Sequence, residues 1–203
     1  MPRKRILLID DQETDVMSII TALESNVDFA SKFEFVRENG NYITFPTDIF
    51  IANQRITGEK QKEEIVQKII GLIDDFQILL LDMKLIDDKR ETEPYTSFNV
   101  ISELKQSSIS AKFDNKDVVL ITGYGSKTER IDYFQKSHPK YLVRVKYDIH
   151  NPLDPVSECQ NDANACSRCF TDVNGNQQQY DKQNPPCTEA ECFAQFLIQK
   201  LSY

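Results

Sequence analysis

Residues 77–82 have the sequence Gln-Ile-Leu-Leu-Leu-Asp, an unbroken apolar run that ends in a carboxylate. Unbroken apolar character indicates burial on both faces, which is typical of a central strand in a parallel sheet. Residues 5–10 (RILLID) and 117–122 (DVVLIT) share this character and also end in polar groups. Residues 141–146 (YLVRVK) alternate between apolar and polar side chains, which predicts an edge strand.

Segments with helical periodicity lie between and after these strands. Apolar residues recur at intervals of three and four in segments 15–23, 59–73, 97–105, 127–135 and 188–201. The alternation of strand and helix predicts an α/β fold with a parallel sheet and right-handed crossovers. The last segment begins with Thr188 and Glu191 in a capping-box pattern, so we expect it to be the final helix of the same domain.

The size and charge of the chain limit its function. Its 203 residues offer room for one domain with insertions. The net charge of −8 argues against nucleic acid as a partner, because such binding requires Lys and Arg to neutralise phosphates. No apolar run approaches the roughly 20 residues of a membrane-spanning helix. We therefore expect a cytoplasmic protein without a membrane partner.

Two stretches are predicted to be insertions. Residues 147–187 are rich in Asn, Gln, Asp and Pro and contain no strand-like run, so we expect a long loop. Between Asn26 and Gly58, the apolar segments Phe33–Val36 and Tyr42–Phe45 flank an Asn-Gly pair, which predicts a hairpin. The predicted organisation is a core at 1–146, a cysteine-containing insertion at 147–187 and a last helix at 188–203 that packs on the core.

Three carboxylates follow two of the predicted strands. Asp10 and Asp11 end the first strand and Asp82 ends the central one. In a parallel sheet they converge on one edge, where they repel one another unless a cation lies among them. Carboxylate oxygens suit Mg²⁺, which also keeps waters and phosphate oxygens in its octahedral shell. The sequence therefore predicts a magnesium site formed by these carboxylates.

Further polar residues end the remaining strands. Thr122 ends the third buried strand and is followed by Gly123, so a hydroxyl and free space are available there for a phosphoryl oxygen. The edge strand offers Arg144 and Lys146, either of which can pair with phosphate charge.

The order of these strand-end motifs, RILLIDDQ, ILLLDMKL, VVLITGYG and YLVRVK, resembles the receiver domain of bacterial two-component response regulators. The resemblance covers residues 4–146. It implies a doubly wound, flavodoxin-like sheet of five parallel strands and transfer of a phosphoryl group from a histidine kinase to an aspartate. By the family pattern, Asp10 and Asp11 match the acidic metal-binding pair, Asp82 the phosphoacceptor and Thr122 the switch hydroxyl. The implied role is signalling through an unknown downstream protein, and not enzymatic turnover.

The chain departs from the family pattern at the edge strand and in its loops. Aligning Tyr141 with the family's aromatic switch residue puts Arg144 at the lysine position, whereas aligning Lys146 with that lysine puts Val143 at the switch position. We favour Lys146, because an ammonium is a compact point charge suited to a phosphoryl oxygen. The stretch Ile86–Thr96 predicts an enlarged loop over the site.

All five cysteines lie between Cys159 and Cys192. Cys166 and Cys169 form a C-x₂-C pair, and Cys187 and Cys192 form a wider C-x₄-C pair after a gap of 17 residues. Two such pairs are typical of a structural zinc site, in which Cys159 is the spare thiol. Free thiols on a polar loop and disulfide bonds are the alternatives, although a reducing cytosol and an odd number of cysteines disfavour a full disulfide framework. His138 and His150 are expected at the surface.

Two other classes of function compete with the phosphorylated receiver. One is a receiver-like scaffold that takes no phosphate and is organised by zinc. The other is a magnesium-dependent, phosphatase-like enzyme, which also places aspartates at strand ends. Lys84 stands two residues after Asp82, where such an enzyme has its second catalytic acid, and no glycine-rich phosphate loop is present.

Overall fold

The apolar runs of the sequence form the strands of a central sheet, and the four periodic segments that the structure describes form helices around it. The computed structural model describes residues 2–10, 13–38, 40–42, 50–51, 54–55, 58–83, 96–122, 141–145 and 188–201. The elements in chain order are β1 (Lys4–Ile9), α1 (Glu13–Glu24), α2 (Val27–Lys32), β2 (Phe33–Phe35), β3 (Arg37–Glu38), β4 (Asn41–Tyr42), β5 (Phe50–Ile51), β6 (Gln54–Arg55), α3 (Gly58–Gly71), β7 (Ile78–Asp82), α4 (Thr96–Gln106), α5 (Ser110–Phe113), β8 (Asp117–Thr122), β9 (Leu142–Val145) and α6 (Glu189–Leu201).

The described strands of the central sheet are all parallel. Five strands take part in the order β2-β1-β7-β8-β9, and each pairs in parallel with its neighbour. Counted within this sheet alone, the order is 2-1-3-4-5, which is the order of flavodoxin-like folds. The predicted α/β class and parallel sheet are therefore confirmed, and β9 lies at an edge of the sheet as its alternating sequence predicts.

Apolar side chains leave the sheet on both faces because successive residues of a strand point in opposite directions. On one face Leu79 and Leu81 of β7 join a core with α3, α4 and α5. On the other face Ile78 and Leu80 join a core with α1, α2 and α6. Burial on both faces explains why the sequence of β7 is apolar without interruption.

Local signals explain where two helices begin. The side chain of Asn26 accepts a hydrogen bond from the backbone N–H of Phe29 at 3.0 Å, which satisfies a donor in the first turn of α2. At α6, Glu191 N–H donates to Thr188 Oγ1 at 3.3 Å, and Thr188 N–H donates to Glu191 Oε2 at 2.9 Å. This reciprocal pair is the predicted capping box, and α6 packs on the core face that contains α1 and α2.

The predicted hairpin exists, but its strands are not the predicted ones. Phe33–Phe35 forms β2, an edge strand of the central sheet that pairs in parallel with β1. The antiparallel pair is formed by Arg37–Glu38 and Asn41–Tyr42, with Gly40 between them at φ 83°. The prediction that Phe33–Val36 belongs to the hairpin is therefore wrong. Phe33 and Phe35 instead bury their rings beside Phe29 in the core.

The other predicted elements have mixed outcomes. The helices predicted at 15–23, 59–73 and 97–105 are present as α1, α3 and α4, with bounds that differ by up to two residues. The short helices α2 and α5 were not predicted. The predicted helix at 127–135 and the insertion at 147–187 lie outside the described residues. Of the predicted loop Ile86–Thr96, residues 86–95 also lie outside them, and Thr96 is the first residue of α4. Within the described part of the chain, no helix is long and apolar enough to cross a membrane.

Candidate functional site

The carboxyl ends of the parallel strands place the predicted acidic residues side by side. In the pairing of β1 with β7, Ile9 lies opposite Leu81. Asp10 and Asp82 come one residue later on the two neighbouring strands. A parallel sheet therefore brings them together at the edge where α/β proteins bind their ligands.

Asp10 and Asp82 both fall on the alternate positions whose apolar residues pack against the same helices. Ile6 and Leu8 of β1 and Ile78 and Leu80 of β7 pack against α1, α2 and α6, and Asp10 and Asp82 continue these two series. Asp10 is 1% exposed and Asp82 is 5% exposed. Two carboxylates thus lie buried near each other, although charged groups are ordinarily left in water.

The donor set at this edge fits a hard divalent cation. Asp10 and Asp82 offer only carboxylate oxygens, the ligands that Mg²⁺ prefers. A cation near both would offset the repulsion between like charges in a buried site. Among the described residues, no group of three or more His, Cys, Asp or Glu side chains is close enough to hold a metal. Asp11, the third predicted ligand, lies outside the described residues.

The next strand brings Thr122 to the same edge. Asp82 pairs with Ile121 of β8, so the backbone of Thr122 ends β8 one residue beyond that pairing. Thr122 in turn pairs with Val145 of β9, and Arg144 pairs with Ile121. Arg144 is therefore placed on the strand next to Thr122, and Lys146 lies outside the described residues.

Tyr141, one of the two candidates for the aromatic switch position, directly precedes β9. Its side chain is 2% exposed and belongs to the core that contains α3, α4 and α5. The ammonium of Lys105, at the end of α4, lies 5.3 Å from the centre of the Tyr141 ring. The ring is thus buried between the sheet and α4.

A serine at the start of α4 contacts the residue after Asp82, and the sequence motifs did not indicate it. Ser97, at the start of α4, is 0% exposed, and its Oγ donates a hydrogen bond to the carbonyl oxygen of Met83 at 3.2 Å. The apolar periodicity of α4 gives no reason to single out this serine, because its hydrogen bond is to a residue that is distant in sequence.

Of the four predicted zinc ligands, the described residues include Cys192 alone. Cys192 lies in the first turns of α6 and is 0% exposed. Its backbone N–H donates to the carbonyl oxygen of Thr188 at 3.0 Å. Cys166, Cys169 and Cys187 lie outside the described residues.

No protein-family model matches the chain, and no curated protein matches it. Among solved structures, the phosphorylated cyanobacterial phytochrome response regulator RcpA is similar to it with a TM-score of 0.38 and 16% sequence identity, over 74% of this chain and 86% of that chain.

Proposed function

We propose that this protein is a phospho-accepting receiver of a two-component signalling system and that Asp82 is its phosphoacceptor. The observation that supports this most strongly is the burial of Asp10 and Asp82 on neighbouring parallel strands, at the edge of the sheet where ligands bind. This arrangement provides a nucleophilic oxygen and a second carboxylate for the metal.

In the proposed reaction, a carboxylate oxygen of Asp82 attacks the phosphorus of the donor in line. The bond from phosphorus to the donor atom breaks, and the electron pair leaves with the donor group, which is the imidazole of a histidine kinase or the acetate of acetyl phosphate. The product is an acyl phosphate on Asp82. Phosphoryl transfer needs mainly positioning and electrostatic stabilisation, so a small number of protein groups suffices.

Asp10, Asp11 and Asp82 would hold Mg²⁺, which when bound supplies positive charge to the phosphoryl oxygens. Thr122 is proposed to donate its hydroxyl to a phosphoryl oxygen. Lys146, or Arg144 in its place, is proposed to supply the cation that pairs with the phosphorylated aspartate. The signal would then pass to a downstream protein through contacts of the surface near this edge.

The test is intact mass after incubation with acetyl phosphate and Mg²⁺. The parent chain should gain one phosphoryl group, and Asp82→Asn should gain none while keeping its fold. Asp75→Asn is the matched control, because Asp75 is a carboxylate that pairs with Arg5 at 3.2 Å far from this edge, and it should be labelled like the parent. An adduct that persists in Asp82→Asn would show that the assignment is wrong.

The same incubation separates the receiver from a phosphatase-like enzyme. A receiver takes up one phosphoryl group per chain and releases it slowly, whereas an enzyme would release many equivalents of inorganic phosphate during the incubation. Rapid release of phosphate with no adduct on Asp82 would favour the enzyme.

A structural zinc site formed by Cys166, Cys169, Cys187 and Cys192 is a second proposal. The capping box of Thr188 and Glu191 supports it. At such a helix start, the residue directly before the N-cap residue commonly packs against the residue four positions after the N-cap. Those positions are Cys187 and Cys192. Zinc content of the purified chain should fall in Cys192→Ser and stay unchanged in Cys159→Ser. Equal zinc content in both variants, or no zinc in the parent, would contradict this site.

A further inference from the structure

Hydrogen bonds hold both the backbone N–H and the backbone carbonyl oxygen of Met83, the residue directly after Asp82. The N–H of Met83 donates to the carbonyl oxygen of Ile121 at 2.8 Å, a bond that belongs to the pairing of Asp82 with Ile121. The carbonyl oxygen of Met83 accepts from Ser97 twice, from its Oγ at 3.2 Å and from its backbone N–H at 3.4 Å. The residue that follows Asp82 is therefore fixed to a strand through its N–H and to a helix through its carbonyl oxygen.

Ser97 is fully buried although its side chain carries a polar hydroxyl. Among the residues whose burial is described, the buried polar or charged ones are Asp10, Asp82 and Ser97. A buried hydroxyl is costly unless it forms a hydrogen bond, and alanine would fill an apolar position in α4 at no such cost. The bond to Met83 satisfies the hydroxyl and ties the start of α4 to the end of β7.

We propose that Ser97 is a positioning residue for the phosphoacceptor, which acts on Asp82 through the backbone of Met83. This inference rests on the proposed function of Asp82. In-line attack requires that the nucleophilic oxygen be held close to one position, and a small displacement reduces the rate strongly. The side chain of Met83 is 0% exposed in the core, so its packing and its two backbone bonds limit the motion of the segment that carries Asp82.

The experiment compares Ser97→Ala with Ser107→Ala. Ser107 lies just after the other end of α4, and its Oγ donates to the carbonyl oxygen of Leu104 at 2.7 Å. Both variants remove a bond from a serine hydroxyl to a backbone carbonyl, and Ser107→Ala also removes a bond that Oγ accepts from the N–H of Ile109 at 3.4 Å. Of the two serines, only Ser97 contacts the residue that follows Asp82. The rate of phosphorylation by acetyl phosphate at saturating Mg²⁺ is measured at increasing donor concentration.

We expect the maximal rate of Ser97→Ala to fall about tenfold with an unchanged half-saturating donor concentration, because geometry is lost while donor binding is kept. Ser107→Ala should keep the parent's maximal rate. If Ser97→Ala does not fold, Ser97→Cys takes its place, since a thiol keeps a similar volume and is a weak donor.

The outcomes separate this inference from the proposed function. If the parent is labelled on Asp82 and the maximal rates of the Ser97 and Ser107 variants are equal, the positioning role is wrong and the phosphoacceptor stands. If the parent is not labelled, or is labelled equally in Asp82→Asn, the proposed function itself is overturned and the role of Ser97 with it.

Discussion

At the scale of single residues, the proposed site contains two carboxylates, Asp10 and Asp82, that are buried at the ends of neighbouring parallel strands. The sequence predicts this arrangement well, because an apolar run that ends in Asp is recognisable and parallel strands bring their carboxyl ends together. Asp10 and Asp82 lie where the pattern placed them. Ser97 could not be predicted in this way, because its role depends on a contact with Met83 that crosses from a strand to a helix.

Substitution of Asp10 tests the proposed metal site at the same scale. Asp10→Asn removes one charged ligand, so Mg²⁺ should raise the melting temperature of the parent much more than that of the variant. A ligand present at ten times its dissociation constant stabilises the folded state by about 1.4 kcal/mol. Thermal unfolding with Mg²⁺ and with EDTA measures the difference. Asp75→Asn should respond to Mg²⁺ like the parent, and an equal response from Asp10→Asn would contradict the site.

At the scale of elements, the hairpin of β3 and β4 shows where sequence patterns are insufficient. The Asn-Gly signal correctly indicated a turn, and Gly40 has the positive φ that such a turn requires. The apolar segment before this turn suggested a hairpin strand. Phe33 and Phe35 instead belong to a strand of the central sheet that pairs with β1. A three-residue strand is too short for its sequence pattern to show which strand it pairs with. The favourable free energy of burying two aromatic rings in the core decides the pairing.

The hairpin is anchored to helices on either side of the sheet. Tyr42 donates its hydroxyl hydrogen to Glu24 of α1, and the guanidinium of Arg37 lies 4.3 Å from the centre of the Tyr42 ring. Glu38 pairs with Lys68 of α3 at 2.6 Å. These contacts connect the hairpin to α1 and α3, which lie on opposite faces of the sheet.

The anchor at Tyr42 should depend on pH. Burial of the phenol, together with its hydrogen bond to Glu24, raises the pKa of Tyr42 above its ordinary value of 10.0. The unfolded chain then loses this proton at lower pH than the folded chain, so the stabilisation is full below pH 10 and is lost as the pH rises through the folded pKa. The tyrosinate absorbance of the parent, minus that of Tyr42→Phe, should titrate with a midpoint above 10.

Glu24→Gln provides the control for this titration. It removes the carboxylate but leaves the phenol partly buried, so the midpoint should move down without losing the whole shift. A midpoint in the parent at or below the ordinary value would contradict the anchor.

At the scale of the whole molecule, one sheet supports two cores. The sequence predicts the sheet, the edge position of β9 and the last helix, because long apolar runs and a capping box are strong local signals. Residues 147–187 carry no such signal, and polar segments of this composition offer little apolar surface from which a fold could be inferred.

Truncation of two neighbouring leucines tests whether the two cores are coupled. Leu79 and Leu80 are both 0% exposed, but they point into different cores. Each change to alanine should lower the free energy of unfolding by about 2–5 kcal/mol. Because both cores share β7, urea unfolding of either variant, followed by far-ultraviolet circular dichroism, should remain a single transition. Two separate transitions in one variant would show that the faces unfold independently.

The measurement that tests the central claim most directly is the chemical location of the phosphoryl group. The chain is incubated with acetyl phosphate and Mg²⁺ and then reduced with sodium borohydride, which converts an aspartyl phosphate to homoserine, and the modified residue is located by peptide mass spectrometry. We predict homoserine at position 82 and at no other aspartate. Homoserine at position 10 or 11, or none at all in a chain that remains folded, would contradict the assignment of Asp82 as the phosphoacceptor.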